Sequence, residues 1–125
     1  MSILTNPVDW FEIPVSDLKR AKDFYEHVLG VRLSLHDFGN LQMAWFPTAE
    51  GAPGATGTLV RAKTYEPSHA GSMVYFAVDD VDAALQRVEQ KGGKVVNPKT
   101  RIGEFGFVGH FEDTEGNRVA IHSKQ

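Results

Sequence analysis

The sequence contains no cysteine, and this absence excludes disulfide bonds, thiolate nucleophiles and zinc sites built on thiolates. Positive charge is not in excess, because 13 lysine and arginine residues stand against 16 aspartate and glutamate residues, for a formal net charge of −3 at pH 7. A chain without a basic surface lacks the electrostatic footprint of a nucleic-acid-binding protein. We therefore expect no nucleic-acid partner.

Long apolar runs are also missing, since no stretch reaches the roughly 18 consecutive apolar residues that a membrane-spanning helix needs. The start, MSILTNPVDW, carries neither the basic region nor the apolar segment of a secretory signal. We expect a cytoplasmic protein with no membrane partner. The length of 125 residues suits one compact domain, and 42% hydrophobic with 23% charged residues is typical of a globular protein.

What the sequence does contain is an internal repeat, in which residues 8–31 return in a looser form as residues 73–94. An offset of 63 residues, the difference between positions 17 and 80, aligns both apolar and polar positions of the two copies. The aligned pairs are Val15 with Val78, Asp17 with Asp80, Leu18 with Val81, Ala21 with Ala84 and Gly30 with Gly93. The repeat predicts a single domain, residues 1–125, made of two modules at about 5–64 and 71–124, with a linker at 65–70.

Each copy has the pattern of a strand, a tight turn, a helix and a glycine stop. Residues 8–15 alternate with the period of a buried strand. Asp17 and Asp80 stand where a carboxylate accepts hydrogen bonds from the first free amides of a helix. Gly30, and Gly92 or Gly93, can take the left-handed conformation that ends a helix.

Three further strands are predicted after each helix, separated by turn-forming residues. Pro98 sits within the stretch 97–103, which predicts a loop. The glycine-rich stretch 49–57 predicts either a lid over a cleft or a passive hairpin connection. The predicted strands cover residues 31–36, 41–46 and 58–62 in the first module and residues 94–96, 105–111 and 118–122 in the second.

The order of these elements, the FYEHVLG ending of the first helix, the EDTEGN turn and the short final strand resemble the vicinal oxygen chelate superfamily. That superfamily includes glyoxalase, bleomycin-resistance proteins and ring-cleaving dioxygenases, and the chain is most similar to its small glyoxalase-related proteins. The resemblance implies an α+β fold with two paired βαβββ modules, a curled mixed sheet around a cleft, and a homodimer. An unrelated α+β sandwich would explain the helix caps equally well, but it would not explain the repeat.

The resemblance also implies where metal ligands would lie, namely on the inward face of the first and last strand of each module. The first-strand positions correspond to Trp10 and Met73, and one last-strand position corresponds to Ala120. The fourth position falls within residues 58–62, which contain no Glu, His or Asp. Neither an indole nor a methyl group binds a divalent ion, and a thioether suits softer metals. We therefore expect no cofactor and no metal at the usual site, and no glyoxalase I activity.

Three polar residues share the inward face with these positions: Glu12, Tyr75 and His122. The resemblance implies that the first strand of one module runs roughly parallel to the last strand of the other, which would bring Glu12 near His122. A carboxylate beside an imidazole favours the imidazolium and makes an acid/base pair near neutral pH. In the alternative, Glu12 bonds to nearby backbone or to Arg118, and His122 is solvated.

Two functions of different classes remain open. In the preferred one, the protein binds a small organic molecule without metal in an aromatic cleft. Its ligand-binding residues are then Trp10, Glu12, Met73, Tyr75 and His122. In the alternative, the protein is a lyase or isomerase type of enzyme that uses Glu12 and His122 as acid and base, or as ligands of a relocated divalent metal. His27, His36 and His69 are expected on the surface, and the direction of His110 depends on strand register.

Overall fold

A computed structural model describes residues 6–125 as two βαβββ modules, which confirms the predicted fold. The predicted start of the first module, at about residue 5, lies outside the described residues. The first module comprises β1 (Trp10–Pro14), α1 (Leu18–Leu29), β2 (Ser34–Asp37), β3 (Leu41–Trp45) and β4 (Thr56–Ala62). The second comprises β5 (Tyr75–Ala77), α2 (Val81–Gln90), β6 (Lys94–Arg101), a short 3₁₀ helix (Gly103–Phe105), β7 (Phe107–Glu112) and β8 (Arg118–Ser123).

The eight strands form two separate four-stranded sheets, in the orders β1-β4-β3-β2 and β5-β8-β7-β6. The resemblance predicts one curled mixed sheet, and the structure refines this to two mixed sheets of the same topology. In each module, a parallel pair joins the first strand to the last, β1 to β4 and β5 to β8. The hydrogen-bonded neighbour of a first strand is therefore the last strand of its own module.

Both helices begin where the capping aspartates predict. Asp17 accepts a hydrogen bond from the amide of Arg20 at 3.0 Å, and Asp80 accepts one from the amide of Ala83 at 3.2 Å. Gly30 ends α1 with φ of 67°, in the left-handed region. After α2, Gly92 takes that role with φ of 92°. The repeated Gly93 serves packing instead, because a Cβ there would lie 2.7 Å from Cγ1 of Val88.

One predicted loop is a strand in the structure. β6 continues through Pro98 to Arg101, and its pairing with β7 shifts register between Val95 and Asn97 and again between Asn97 and Thr100. Proline lacks the amide proton of a regular ladder but is tolerated on an edge strand and at bulges, and β6 is an edge strand. The remaining strand ends differ from the predicted ones by a few residues.

Side chains from both modules share one core, so the two modules pack against each other within this chain. Phe11 and Phe76, from the first strand of each module, have ring centroids 5.6 Å apart. Phe46 lies 5.5 Å from Phe11 and 5.3 Å from Phe76 by the same measure. No helix among residues 6–125 is long and apolar enough to cross a membrane.

The EDTEGN turn between β7 and β8 joins the second module to the first. The Glu115 carboxylate accepts hydrogen bonds from the amides of Ser16 and Asp17, at 2.9 and 2.8 Å, just before α1. Arg20 donates to the same carboxylate from Nε at 2.7 Å and from Nη2 at 3.0 Å. Asn117 donates from Nδ2 to the carbonyl of Pro14 at 2.7 Å. The turn therefore completes the N-terminal cap of the other module's helix.

Candidate functional site

The candidate site residues lie on the sheet faces that point away from the helices. We call these the outer faces of the sheets; they are the faces that the resemblance describes as inward, toward the cleft. On β1, Ile13 faces the core and is buried, so Trp10 and Glu12 point to the opposite side. Residues paired directly across strands share a face. The pairs on the outer face of the first sheet are Trp10 with Thr56, Glu12 with Thr58, Trp45 with Thr58, and His36 with Met43.

Three rings on this outer face form a cluster that we call the aromatic stack: Trp10, Trp45 and His36. The imidazole of His36 stacks on the indole of Trp45 with ring centroids 3.7 Å apart and planes at 25°. Trp10 meets Trp45 edge to face at 5.9 Å and 85°. Trp10 is 41% exposed, while His36 and Trp45 are half-buried. The stack therefore presents a large aromatic surface to solvent on a supported strand.

Beside the aromatic stack, Glu12 is held by a tyrosine from the segment after β4. The hydroxyl of Tyr65 donates to Oε1 of Glu12 at 2.7 Å. This hydrogen bond, together with the negative charge of Glu12, raises the pKa of Tyr65 above its usual value of 10.0. Since Glu12 stands two residues from Trp10 on the same face, its second carboxylate oxygen is a polar contact next to the stack.

The outer face of the second sheet carries a separate group of polar side chains. The hydroxyl of Tyr75 lies 3.2 Å from Nε2 of His110, which settles that His110 points to this face. His122 donates from Nε2 to the carbonyl of Phe105 at 2.7 Å. An open hollow of about 430 Å³ is lined by Tyr75, Ala77, Ile102, Val108 and His122.

The five candidate residues therefore divide between the two sheets. Trp10 and Glu12 lie on the first sheet, whereas Tyr75 and His122 line the hollow on the second, and Met73 precedes β5. Glu12 and His122 make no hydrogen bond to each other in the described part of the chain. Each side chain has another partner, since Glu12 accepts from Tyr65 and His122 donates to the carbonyl of Phe105. No direct hydrogen bond joins the expected acid and base in residues 6–125, and their roles stay a prediction.

Arg118, the other suggested partner of Glu12, is not hydrogen-bonded to it either. Both residues line a small hollow of about 120 Å³ at the seam between the modules, together with Glu66. The buried Nε of Arg118 has no hydrogen-bond partner among the described residues. Glu12 is thus engaged by Tyr65 rather than by a cation.

The residues at the metal-ligand positions do not fit a divalent metal. Within the predicted range 58–62, Thr58 pairs with Glu12 on this face, and the residue opposite Trp10 is Thr56, which lies just before that range. The hydroxyl of Thr58 is fully buried. It can donate to the carbonyl of Ala44 at 3.0 Å or to that of Leu59 at 2.8 Å. An indole, a thioether, a methyl group and an engaged hydroxyl offer no usual ligand set. Residues 6–125 also hold no cluster of three or more His, Cys, Asp or Glu side chains that could bind a metal ion.

Sequence reasoning missed two residues that shape this face. Tyr65 is the first residue of the predicted linker, 65–70, where no periodicity indicates a direction. His36 is expected on the surface but is half-buried against Trp45. The β2–β3 hairpin register, which pairs His36 with Met43, is the signal that would have placed it beside the tryptophans. Among the other histidines, His69 contacts Glu112 at 2.8 Å on the surface.

Comparison with known proteins gives a consistent family. Residues 8–121 match the model of the Glyoxalase/Bleomycin resistance protein/Dioxygenase superfamily. A "Glyoxylase-like domain-containing protein" of Didymella fabae is 31% identical over 125 residues, which cover 95% of this chain and 94% of that protein. The anthracycline biosynthesis protein DnrV of Streptomyces peucetius is 28% identical, and the match covers 92% of this chain but only 46% of DnrV.

Solved structures share the fold across nearly the whole chain. A glyoxylase/bleomycin resistance protein/dioxygenase domain from Frankia sp. EAN1pec superimposes with a TM-score of 0.73 at 15% identity, covering 96% of this chain and 98% of that one. TnmS3, an antibiotic binding protein from Streptomyces sp. CB03234, superimposes with a TM-score of 0.68 at 24% identity, covering 99% and 100%. At these identities the likeness concerns the fold alone.

Proposed function

The chain belongs to the glyoxalase/bleomycin resistance protein/dioxygenase superfamily, and on that premise we propose that it binds a small planar organic molecule without metal, on the aromatic stack of its first sheet. The observation that carries this proposal is the part-exposed stack of Trp10, Trp45 and His36 beside the carboxylate of Glu12. A planar ring system would gain both apolar burial and ring stacking there.

The polar neighbour of the stack restricts the ligand further. Glu12 accepts a hydrogen bond from Tyr65 through Oε1, and its other oxygen is available to a hydroxyl or an amino group of the ligand. An anionic group would be repelled at this place, because the carboxylate carries a negative charge at neutral pH. We infer a neutral or cationic ligand. Its polar group would lie about as far from the edge of its ring system as Glu12 lies from Trp10.

A sequence relative and a solved structure of the same fold have names that agree with a role in binding natural products of this kind. The name of DnrV places that protein in anthracycline biosynthesis, and TnmS3 is described as an antibiotic binding protein. An anthracycline combines a planar ring system with an amino sugar, which matches the stack and the carboxylate of this chain. The enzyme alternative, with Glu12 and His122 as acid and base or as metal ligands, has no observation that favours it.

Titration with doxorubicin, used as an anthracycline probe, tests the proposal by calorimetry or by quenching of tryptophan fluorescence. We expect saturable binding to the wild type, about tenfold weaker binding to Trp10→Ala through the lost stacking surface, and a smaller loss in Glu12→Gln. Phe105→Ala is the control, since Phe105 is 71% exposed on the other module. Unchanged affinity in Trp10→Ala, or equal weakening in Phe105→Ala, would contradict the proposed site.

We also propose that the protein forms a homodimer and acts in the cytoplasm. Large apolar side chains outside the aromatic stack are exposed in a single chain, including Leu35 at 62%, Phe38 at 57% and Phe105 at 71%. A second copy related by twofold symmetry would cover such surface. Light scattering at micromolar protein concentration is expected to give twice the mass of one chain. A monomer mass under these conditions would reject the dimer.

A further inference from the structure

A cavity of about 380 Å³ lies on the opposite side of β1 from the aromatic stack, at the seam between the two modules. Its wall is formed by Phe11, Phe46 and Phe76, which belong to the core-facing side of their strands. Leu29 and Val31, at the end of α1, complete the apolar wall. Because Phe11 stands between Trp10 and Glu12 in the strand, its side chain points away from the stack. The cavity is therefore a separate place on the molecule.

The glycine-rich segment 47–56 covers this cavity. The hydroxyl of Thr56 donates to the carbonyl of Pro47 at 2.7 Å, which ties the two ends of the segment together. Small residues of the segment, among them Ala49, Ala52 and Ala55, line the cavity mouth. A larger side chain at these positions would project into the space. The segment thus forms one side of an open cavity whose other side is aromatic.

Close packing between β4 and the ring of Phe11 fixes the wall beneath this segment. A Cβ at Gly57 would collide with the backbone oxygen of Phe11 and lie 2.6 Å from Cγ of its ring. Gly57 therefore lets the ring of Phe11 lie flat against β4, in the strand pair that joins these two residues. This close packing fixes the position of the Phe11 ring, which forms part of the cavity wall.

The chemistry of the lining selects the occupant. Asp9 is the only ionisable side chain among the described residues that line the cavity, and it is exposed. The phenyl rings and aliphatic side chains offer dispersion contacts but no cation, and Asp9 would repel an anion, so an anionic ligand would lose its hydration without replacement. The volume is at the lower end of small-molecule sites, which run from roughly 300 Å³ upwards.

We propose that this seam cavity is a second binding site, which takes an uncharged aromatic molecule of one or two rings. It is separate from the aromatic stack, because Phe11 and Trp10 point to opposite faces of β1 and none of the three rings of the stack lines the cavity. The segment 47–56 acts as its cover. The ligand enters from the loop side, past Ala52 and Ala55.

Indole is a suitable probe, because it is uncharged, has two fused rings and is soluble at millimolar concentration. We expect one indole per chain with a Kd of roughly 0.1–1 mM, as for a ligand of this size. In methyl NMR spectra of the wild-type protein, the shifts should concentrate on Leu29, Val31 and Ala49. Indole-3-acetate, which carries a carboxylate, should bind at least about tenfold more weakly.

Two variants of the cover locate the site. Ala52→Trp places an indole side chain at the mouth and is expected to weaken indole binding at least about tenfold. Glu50→Trp is the matched control, since Glu50 lies in the same segment, is exposed and does not line the cavity. Trp10→Ala should leave indole binding unchanged, which separates this site from the stack.

Three results would overturn the proposal. If the wild type showed no saturable shifts at about 5 mM indole, which is roughly five times the weakest expected Kd, the site would be excluded. Shifts confined to residues around Trp10 and Trp45 would assign indole to the stack instead. Equal affinity in Ala52→Trp and Glu50→Trp, with both proteins folded by circular dichroism, would exclude entry at the cover. None of these results bears on doxorubicin binding, so the two sites fail or succeed separately.

Discussion

Replacing Asp113 with alanine is expected to lower the free energy of unfolding by about 3–5 kcal/mol, because it removes a carboxylate that accepts hydrogen bonds from Tyr25, Glu115 and Asn117. Oδ2 of Asp113 accepts from the hydroxyl of Tyr25 at 2.6 Å and from Nδ2 of Asn117 at 3.0 Å. Oδ1 accepts from the amides of Glu115 and Asn117, at 2.8 and 2.9 Å. Tyr25 is completely buried, so its hydroxyl cannot turn to water instead.

Urea unfolding followed by circular dichroism measures this effect, and the chain supplies a matched control. Asp37 makes the same local turn, since its Oδ1 accepts from the amide two residues ahead, Gly39, at 2.8 Å. Because Asp37 is exposed, Asp37→Ala should cost less than about 1 kcal/mol. Tyr25→Phe, which leaves the carboxylate and its other donors, should fall between the two. A loss in Asp113→Ala no greater than in Asp37→Ala would contradict the role of burial.

Burial raises the pKa of Asp113 above its usual 3.8, although hydrogen bonds from Tyr25 and Asn117 act in the opposite direction. The folded protein therefore holds this proton more tightly than the unfolded chain does. Its titration contributes stability that is fully present below the unfolded pKa and is lost as pH rises through the folded pKa. At neutral pH the buried charge is a cost, which the donors around it offset.

The parts of the fold that depend on neighbouring residues could be predicted from the sequence. Asp17 and Asp80 start the helices, and Gly30 ends the first, because capping involves only a few adjacent backbone groups. The second half of β6 was predicted as a loop because Pro98 is a local loop signal, whereas its place in an edge strand is set by the distant β7. The sequence therefore predicts features that depend on adjacent residues, such as helix caps, but not the pairing of strands that are distant along the chain.

The candidate site divides along the same line. That Trp10 and Glu12 share a face followed from strand alternation and holds in the structure. The proximity of Glu12 and His122 depends on how the two modules pack, which the sequence does not specify, and in the structure the two side chains bond to Tyr65 and to the carbonyl of Phe105. Tyr65 could not be predicted, because a residue outside a periodic element has no direction that the sequence specifies.

The seam between the modules has a second charged component, and its removal is the other large effect that we expect. The side chain of Glu115 is fully buried, while its partner Arg20 is 52% exposed. Glu115→Ala leaves the amides of Ser16 and Asp17 without their acceptor and removes the ion pair. We expect a loss of about 2–4 kcal/mol at pH 7, below the full value of a buried pair because Arg20 can be solvated. Urea unfolding of the variant measures it.

The pH dependence of this loss distinguishes the charge of Glu115 from its shape. Burial, the largest single influence, would raise the pKa of Glu115, but hydrogen bonds from Arg20, Asp17, Thr114 and Ser16 together lower it below its usual 4.5. A lowered folded pKa contributes stability that is present above the unfolded pKa and is lost as pH falls through the folded one. The difference between wild type and Glu115→Gln should therefore be constant above about pH 5.5 and shrink below 4.5.

Glu104→Gln provides the control for this comparison, because Glu104 is exposed in the short 3₁₀ helix and forms no ion pair among the described residues. Its free energy of unfolding should follow the wild type at every pH. Glu115→Gln keeps the size of the side chain and one acceptor oxygen for the amides of α1, so it should be more stable than Glu115→Ala. Two results together would contradict this role of the charge: equal free energies of unfolding for Glu115→Ala and Glu115→Gln, and a difference from wild type that does not shrink in acid. The charge on Glu115 would then not be what joins the turn of the second module to the helix of the first.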